Sequence, residues 1–381
     1  MHLIITSYQR LGERFGAWEL RRTQSRLLEL HTTRQQRGLR SKIVSVETGM
    51  PERGITGVDP RDALAVRDLI LLLDQEIGPL ESVLIAGGPQ IMPFHACADP
   101  LGEDERSIPS DHPYSVRDAS SLLSDWAVAR LPAESASVLL RLLLLANRAQ
   151  HAVPRQLRKF FAYSSATWQT TSRLVLEEAG MIAPLVSAPP TGATSLDLQM
   201  LESADRIYCN LHGINDGPFW YGQATGSRGA VVVALRPQDV AALDMRGSVV
   251  VSEACFGAYA DGYNFDESIA MRFLLRGASC FVGATALAYG APCRRWPRLI
   301  SLPPPFCAPR CGPASAPERH FSKRGATGCG TGSPAKGLSM KKRNEPCCRL
   351  GCTPIRLLSS PGINLYNSGC QGGFGRDSED L

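Results

Sequence analysis

The sequence predicts an α/β fold with a mostly parallel sheet that is covered by helices on both faces. Short apolar runs of four to six residues alternate with amphipathic stretches through the first 290 residues. This alternation is typical of buried parallel strands joined by helical crossovers. After about residue 291 the alternation stops, and no hydrophobic period near 3.6 or 2 remains.

The predicted elements follow from these signals in chain order. Short apolar runs predict strands at residues 3–7, 42–46, 82–86, 159–163, 206–211, 248–252 and 280–283. The stretches between them predict helices at residues 17–37, 59–75, 134–149, 171–179 and 267–276. The helix at 59–75 begins with the capping signal Asp59-Pro60, and the helix at 171–179 stops at Gly180.

Composition narrows the class of protein. Hydrophobic residues at 44% and charged residues at 20% describe an ordinary globular protein, and a net charge of +5 is too small to indicate nucleic-acid binding. No stretch reaches the roughly 18 apolar residues that a membrane span needs. Four of the twelve cysteines lie before residue 291, which suits a reducing compartment, so we expect a cytoplasmic protein.

Two predicted strands end in residues with catalytic chemistry. One ends in His212-Gly213, and the other is followed by Cys255 among small residues. Reactive groups collect at the carboxyl ends of strands in open parallel sheets, so neighbouring strands would bring this imidazole and this thiol together. A thiolate is a nucleophile, and a nearby imidazole can take the thiol proton and later protonate the leaving amine.

The glycine after the histidine has a role of its own in this interpretation. Gly213 has no Cβ, so its backbone N–H can approach a substrate oxyanion, and together with the N–H of Cys255 it would form an oxyanion hole. Such a donor contributes about 3–4 kcal/mol in comparable sites. No third acid is required by spacing, although Asp216 and Glu253 are near in sequence.

At this point the chain resembles the caspase-like superfamily, and within it the gingipain-type cysteine peptidases. The resemblance rests on the two strand-end motifs together with residues 84–94 (Leu-Ile-Ala-Gly-Gly-Pro-Gln-Ile-Met-Pro-Phe), 110–114 (Ser-Asp-His-Pro-Tyr), the turn at 126–132 (Trp-Ala-Val-Ala-Arg-Leu-Pro), 268–270 and 277–285. It covers residues 3–290. It implies a caspase-like α/β/α sandwich, with His212 as general base and acid and Cys255 as nucleophile.

The same resemblance implies that the chain has three segments. Residues 1–150 would form an N-terminal α/β subdomain, residues 151–290 the caspase-like catalytic subdomain, and residues 291–381 an irregular Cys/Pro/Gly-rich tail. The tail holds too little patterned apolar surface to offset its ordering entropy, so disorder is expected. We hypothesise that the tail is a frameshifted reading of the coding region. A relative that shares an intact frame through residue 381 would refute this hypothesis.

Other interpretations stay open beside the peptidase. A catalytically silent scaffold or interaction domain would have the same fold, and Asp111 is either a substrate-binding residue or a local hydrogen-bonding residue before a turn.

The turn after residue 86 lacks the full phosphate-binding patterns. Cys307, Cys311, Cys348 and Cys352 lack the surroundings of a zinc site. We therefore expect a peptide or protein substrate, no metal, no cofactor and no nucleic-acid or membrane partner. Arg-specific gingipains place an acid after the strand that matches 159–163, whereas residues 164–171 contain none.

Overall fold

The computed structural model describes residues 1–98, 107–121, 123–151, 159–181, 184–226, 229–259, 264–288 and 352–356. Its helices are α1 Tyr8–Gln36, α2 Ala63–Ile77, α3 Ala136–Gln150, α4 Gln169–Glu178, α5 Leu198–Ser203, α6 Pro237–Ala241 and α7 Ile269–Leu275. Its strands are β1 His2–Thr6, β2 Ser41–Ser45, β3 Gly49–Met50, β4 Ile55–Thr56, β5 Ser82–Ala86, β6 His95–Cys97, β7 Ile108–Ser110, β8 Ala127–Leu131, β9 Phe160–Ser165, β10 Leu185–Ala188, β11 Arg206–Asn210, β12 Trp220–Gln223, β13 Val231–Leu235, β14 Val249–Ser252, β15 Cys280–Ala284 and β16 Cys352–Arg356. Short 3-10 turns occur at Pro51–Arg53, His112–Ser115, Ala166–Trp168 and Phe265–Glu267.

One large sheet organises the described residues, in the order β10-β9-β11-β14-β15-β16-β8-β5-β1-β2. Every neighbouring pair in it is parallel except β15 with β16, which confirms the predicted mostly parallel α/β fold. The strands before residue 150 lie on one side of β16, and those from β9 to β15 lie on the other. The remaining strands form three small two-stranded sheets.

Helices cover both faces of the second half of this sheet. On one face, Tyr208 of β11 packs with Val175 and Leu176 of α4. On the other face, Cys209 and Val250 belong to the main apolar core, which also contains the buried side of α7. Neighbouring residues on each strand therefore point to opposite layers, as the period of two in a strand requires. This arrangement is the α/β/α sandwich that the sequence resemblance implies.

The two halves of the chain are joined by a capped helix terminus. The carboxylate of Asp266 accepts hydrogen bonds from the backbone N–H groups of Glu134 at 3.0 Å and Ser135 at 2.9 Å, at the start of α3. The first N–H groups of a helix have no partner within the helix, so an acceptor there stabilises the terminus. The 3-10 turn that precedes α7 thus satisfies the N-terminus of α3.

Several predicted boundaries need correction. Helix α1 is interrupted at Gly16, whose φ of 85° and ψ of 165° are not helical, so the segment from Ala17 onward matches the predicted helix. The preceding segment, which begins at Tyr8 and is capped by the Ser7 side chain, was not predicted. Helix α2 is capped by Asp62 rather than by Asp59. The predicted turn at 126–132 contains the strand β8, which lies inside the large sheet. Of the tail, only the strand β16 falls within the described residues. The prediction of an irregular tail otherwise lies outside them.

Candidate active site

Strands β11 and β14 are parallel neighbours, and both candidate catalytic residues follow them at the same edge of the sheet. Cys209 lies opposite Ser252, and the backbone N–H of Glu253 donates to the Cys209 carbonyl at 2.8 Å. His212 and Cys255 each lie three residues beyond the Cys209–Ser252 pair. Both residues therefore follow their strands at the carboxyl edge, where parallel sheets hold reactive groups.

Gly213 makes the close approach that the sequence indicated. A Cβ on this residue would collide with the backbone carbonyl oxygen of Cys255. Because backbone atoms cannot move aside as a flexible side chain can, only glycine fits beside the cysteine. The backbone N–H groups of Gly213 and Cys255 both lower the pKa of the Cys255 thiol by hydrogen bonding.

The sulfur of Cys255 has a further main-chain partner. The backbone N–H of Ala288 donates to Sγ at 3.3 Å, and the thiol donates to the Ala288 carbonyl at 3.6 Å. Burial raises the pKa of Cys255 above its ordinary value, and the N–H groups of Ala288, Cys255 and Gly213 oppose this increase. In the free protein Cys255 is therefore a neutral thiol. The N–H groups of Ala288, Cys255 and Gly213 would stabilise its thiolate when it forms.

The chain turns sharply just after the nucleophile. Phe256 has φ of 54°, the left-handed conformation that a bulky residue rarely adopts. Its backbone N–H donates to the Ala286 carbonyl at 2.9 Å, and that of Ala258 donates to the Ala284 carbonyl at 2.8 Å. These bonds hold the turn against the end of β15 and the residue Ala286 beyond it. The strained conformation costs on the order of 1–3 kcal/mol. Such strain is concentrated at functional sites in proteins.

His212 is fixed through its backbone and its ring. It exchanges two backbone hydrogen bonds of 2.8 Å with Tyr221 of β12, and its ring centroid lies 4.1 Å from that of Trp168. Burial lowers the pKa of His212, and a hydrogen bond from the ring to the Gln223 side chain partly offsets this. Its Nε2 is buried and has no hydrogen-bond partner among the described residues.

The two acids near this pair in sequence occupy different environments. Asp216 is exposed in the loop after β11. Burial raises the pKa of Glu253 to about 7, and the nearby Tyr208 hydroxyl lowers it in part. No hydrogen bond among the described residues joins either carboxylate to His212. The site therefore contains an imidazole and a thiol that are both uncharged at neutral pH, without an acid in contact.

Asp111 lies in a buried ion pair with Arg130. Its side chain is 1% exposed, and it binds the fully buried Arg130 in a bidentate ion pair of 2.6 and 2.8 Å. The other Arg130 donors bond the carbonyls of Gly87, Met92 and Pro93. Three of the motifs behind the resemblance thus converge on one guanidinium. A carboxylate buried in this way does not support the predicted substrate-binding role.

Some residues near the site had no signal in the sequence argument. Trp168 and Gln223 contact the His212 ring, and Ala288 contacts the sulfur, but none belongs to a motif. The tryptophan was visible only as the bulky residue in a loop without acids. The described residues contain no group of three His, Cys, Asp or Glu side chains placed to hold a metal ion. No helix among them is long and apolar enough to cross a bilayer.

The architecture is that of a caspase-like α/β protein, and comparison with known proteins gives the family it resembles. Residues 2–172 match the sequence model of peptidase family C25, the gingipain family. This match confirms the resemblance over the N-terminal part of the chain. His212 and Cys255 lie beyond the matched segment. No curated protein sequence matches the chain.

Solved structures are similar to this one at low identity. The complex of Porphyromonas gingivalis RgpB pro- and mature domains is 14% identical with a TM-score of 0.52, covering 75% of this chain and 64% of that one. The Arg-specific cysteine proteinase gingipain R is 14% identical with a TM-score of 0.50, covering 76% and 63%. The chain therefore spans less than two thirds of the length of these structures. At such identity the likeness establishes the fold.

Proposed function

We propose that this chain is a cysteine endopeptidase that cleaves peptide bonds with His212 and Cys255. The observation that carries the proposal is the placement of both residues at the same distance past the register pair Cys209–Ser252, on neighbouring parallel strands. The family match and the gingipain-like fold support a peptidase of the cysteine class. A peptide or protein is the substrate class that this chemistry implies.

Each step of the reaction has a group positioned for it. Neutral His212 takes the proton of the Cys255 thiol as the sulfur attacks the scissile carbonyl carbon. The oxyanion that forms is bound by the N–H groups of Gly213 and Cys255. The imidazolium then protonates the departing amine, which leaves a thioester on the sulfur. Water, deprotonated by His212, hydrolyses the thioester and returns the thiol.

The test is covalent labelling with a panel of tagged peptide electrophiles that differ in the residue before the reactive group. We expect one tag per chain in the original protein and none in Cys255→Ala. Cys209→Ala and Cys280→Ala are matched controls, because both thiols are buried and burial raises the pKa of Cys209 to about 12. Equal labelling of Cys255→Ala would remove the proposed nucleophile. A folded protein that no electrophile labels would favour a catalytically silent scaffold.

The pH dependence of labelling follows from the two pKa directions. The reactive form needs a neutral imidazole, and burial lowers the pKa of His212 below its ordinary 6.5. We therefore expect the acid limb of the rate profile to have its midpoint below pH 6.5. Burial raises the pKa of Cys255, so the alkaline limb should lie above the range of an ordinary thiol. Labelling rates measured between about pH 4 and 10 cover both limbs of the profile. A midpoint of the acid limb above pH 6.5 would contradict the assignment of His212 as the base.

A further inference from the structure

The loop after β9 and the strand β12 enclose the His212 ring without supplying a charge. The loop carries Trp168, whose ring centroid lies 4.1 Å from that of His212 at an angle of 44°. Strand β12 carries Gln223, two residues after the Tyr221 that pairs with the His212 backbone. Residues two apart on a strand point to the same side, so Gln223 lies on the side of Tyr221.

The same loop and strand are fastened to each other. The Ser165 hydroxyl accepts from the backbone N–H of Gln223 at 2.8 Å and donates to the Gln223 carbonyl at 3.2 Å. Ser165 itself is fully buried, so this double contact is shielded from water. The two hydrogen bonds join Ser165, at the start of the Ala166–Trp168 turn, to Gln223 on β12. The indole and the amide are thus parts of one connected support.

In well-studied nucleophilic sites a third group orients the base, and this group is a carboxylate in serine triads and an amide in some cysteine peptidases. No carboxylate among the described residues contacts His212. We propose that Trp168 and Gln223 are positioning residues for His212: the indole covers one face of the imidazole, and the Gln223 side-chain oxygen fixes its rotation. Neither touches the reacting atoms.

This inference rests on the proposed function for its catalytic meaning, but it makes a separate physical claim. An indole against the ring excludes water that would stabilise imidazolium, and an amide oxygen accepting from the ring stabilises it. No charged group contributes to the pKa of His212, whether from β11, from β12 or from the loop after β9. The two neighbours should therefore act in opposite directions on one measurable quantity.

The experiment measures the pKa of His212 by NMR titration of the folded, isotope-labelled protein, with the resonance assigned by His212→Ala. In Trp168→Ala water reaches the ring, so the pKa should rise toward 6.5. In Gln223→Ala an acceptor is lost, so the pKa should fall further. Trp168→Phe should keep a value close to the original. Trp18→Ala is the matched control, because Trp18 is 66% exposed on α1.

Labelling kinetics give the second readout. We expect Trp168→Ala to slow the labelling step at saturating electrophile by about 10- to 100-fold with little change in the half-saturating concentration, because a displaced base loses reactivity rather than binding. Trp168→Phe should recover most of the rate. Unchanged pKa and rate in both Trp168→Ala and Gln223→Ala would overturn the inference. If the original protein does not label at all, the peptidase proposal fails, and the titration still decides whether these residues hold the ring.

Discussion

Replacing His212 with alanine should slow acylation of Cys255 by a factor on the order of 10² to 10⁴, the usual contribution of a positioned general base. The thiol is neutral at rest because burial raises its pKa, so without the imidazole nothing in the site accepts its proton. The measurement is the second-order rate constant for labelling by the preferred peptide electrophile at pH 7.

The matched control for this prediction is His151→Ala. His151 is exposed after the end of α3 and contacts neither candidate catalytic residue among the described contacts. We expect its rate to equal that of the original protein. If His212→Ala and His151→Ala label equally fast, the thiol does not depend on His212, and the proposed pair is wrong even if Cys255 is the labelled residue.

Replacing Arg130 with methionine should lower the free energy of unfolding by about 3–5 kcal/mol, because it removes the guanidinium that pairs with the buried Asp111 carboxylate. The side chains are 0% and 1% exposed, so water cannot replace the lost guanidinium. Three backbone carbonyls also lose their donor. Urea unfolding followed by circular dichroism measures the change.

Two further variants show whether the loss comes from an uncompensated charge. The double variant Arg130→Met/Asp111→Leu removes both charges and should recover a large part of the stability. Arg246→Met breaks an exposed ion pair with Asp244 and should change stability little, because solvent screens such pairs. A double variant no more stable than Arg130→Met would show that the ion pair is not the source of the effect.

The sequence predicted the strands β1, β2, β5, β9, β11, β14 and β15 of the large sheet because each is a short apolar run. It did not predict β10, and it assigned the residues of β8 to a turn. Strand β5 was predicted with its observed bounds, and β11 and β14 within one residue. The hairpin of β12 and β13 was missed, because β12 (Trp-Tyr-Gly-Gln) has neither an apolar run nor a clear alternation. The segment of α1 before the break at Gly16 was missed, because polar residues and Gly12 give it no clear apolar period.

Some residues of the candidate site could be predicted from the sequence, and others could not. His212, Gly213 and Cys255 could be found from sequence because strand ends in a parallel sheet share an edge, and the chain marks these ends with small residues. Trp168 and Ala288 could not, because they reach the imidazole and the sulfur from loops distant in sequence, and only tertiary packing brings them there. The ion pair of Asp111 could not be predicted from sequence, because its partner Arg130 lies on a strand distant in sequence.

The two bonds between Ala288 and the Cys255 sulfur have a stereochemical consequence. Because the backbone N–H of Ala288 donates to the sulfur and the Ala288 carbonyl accepts a hydrogen bond from the thiol, one flank of the sulfur is occupied by the main chain. An incoming carbonyl must therefore approach from the free flank, and the S–H must swing from the Ala288 oxygen to the imidazole before attack. Both contacts come from the main chain, so substituting the side chain at position 288 leaves them in place, except that proline would remove the N–H donor while the carbonyl acceptor stays.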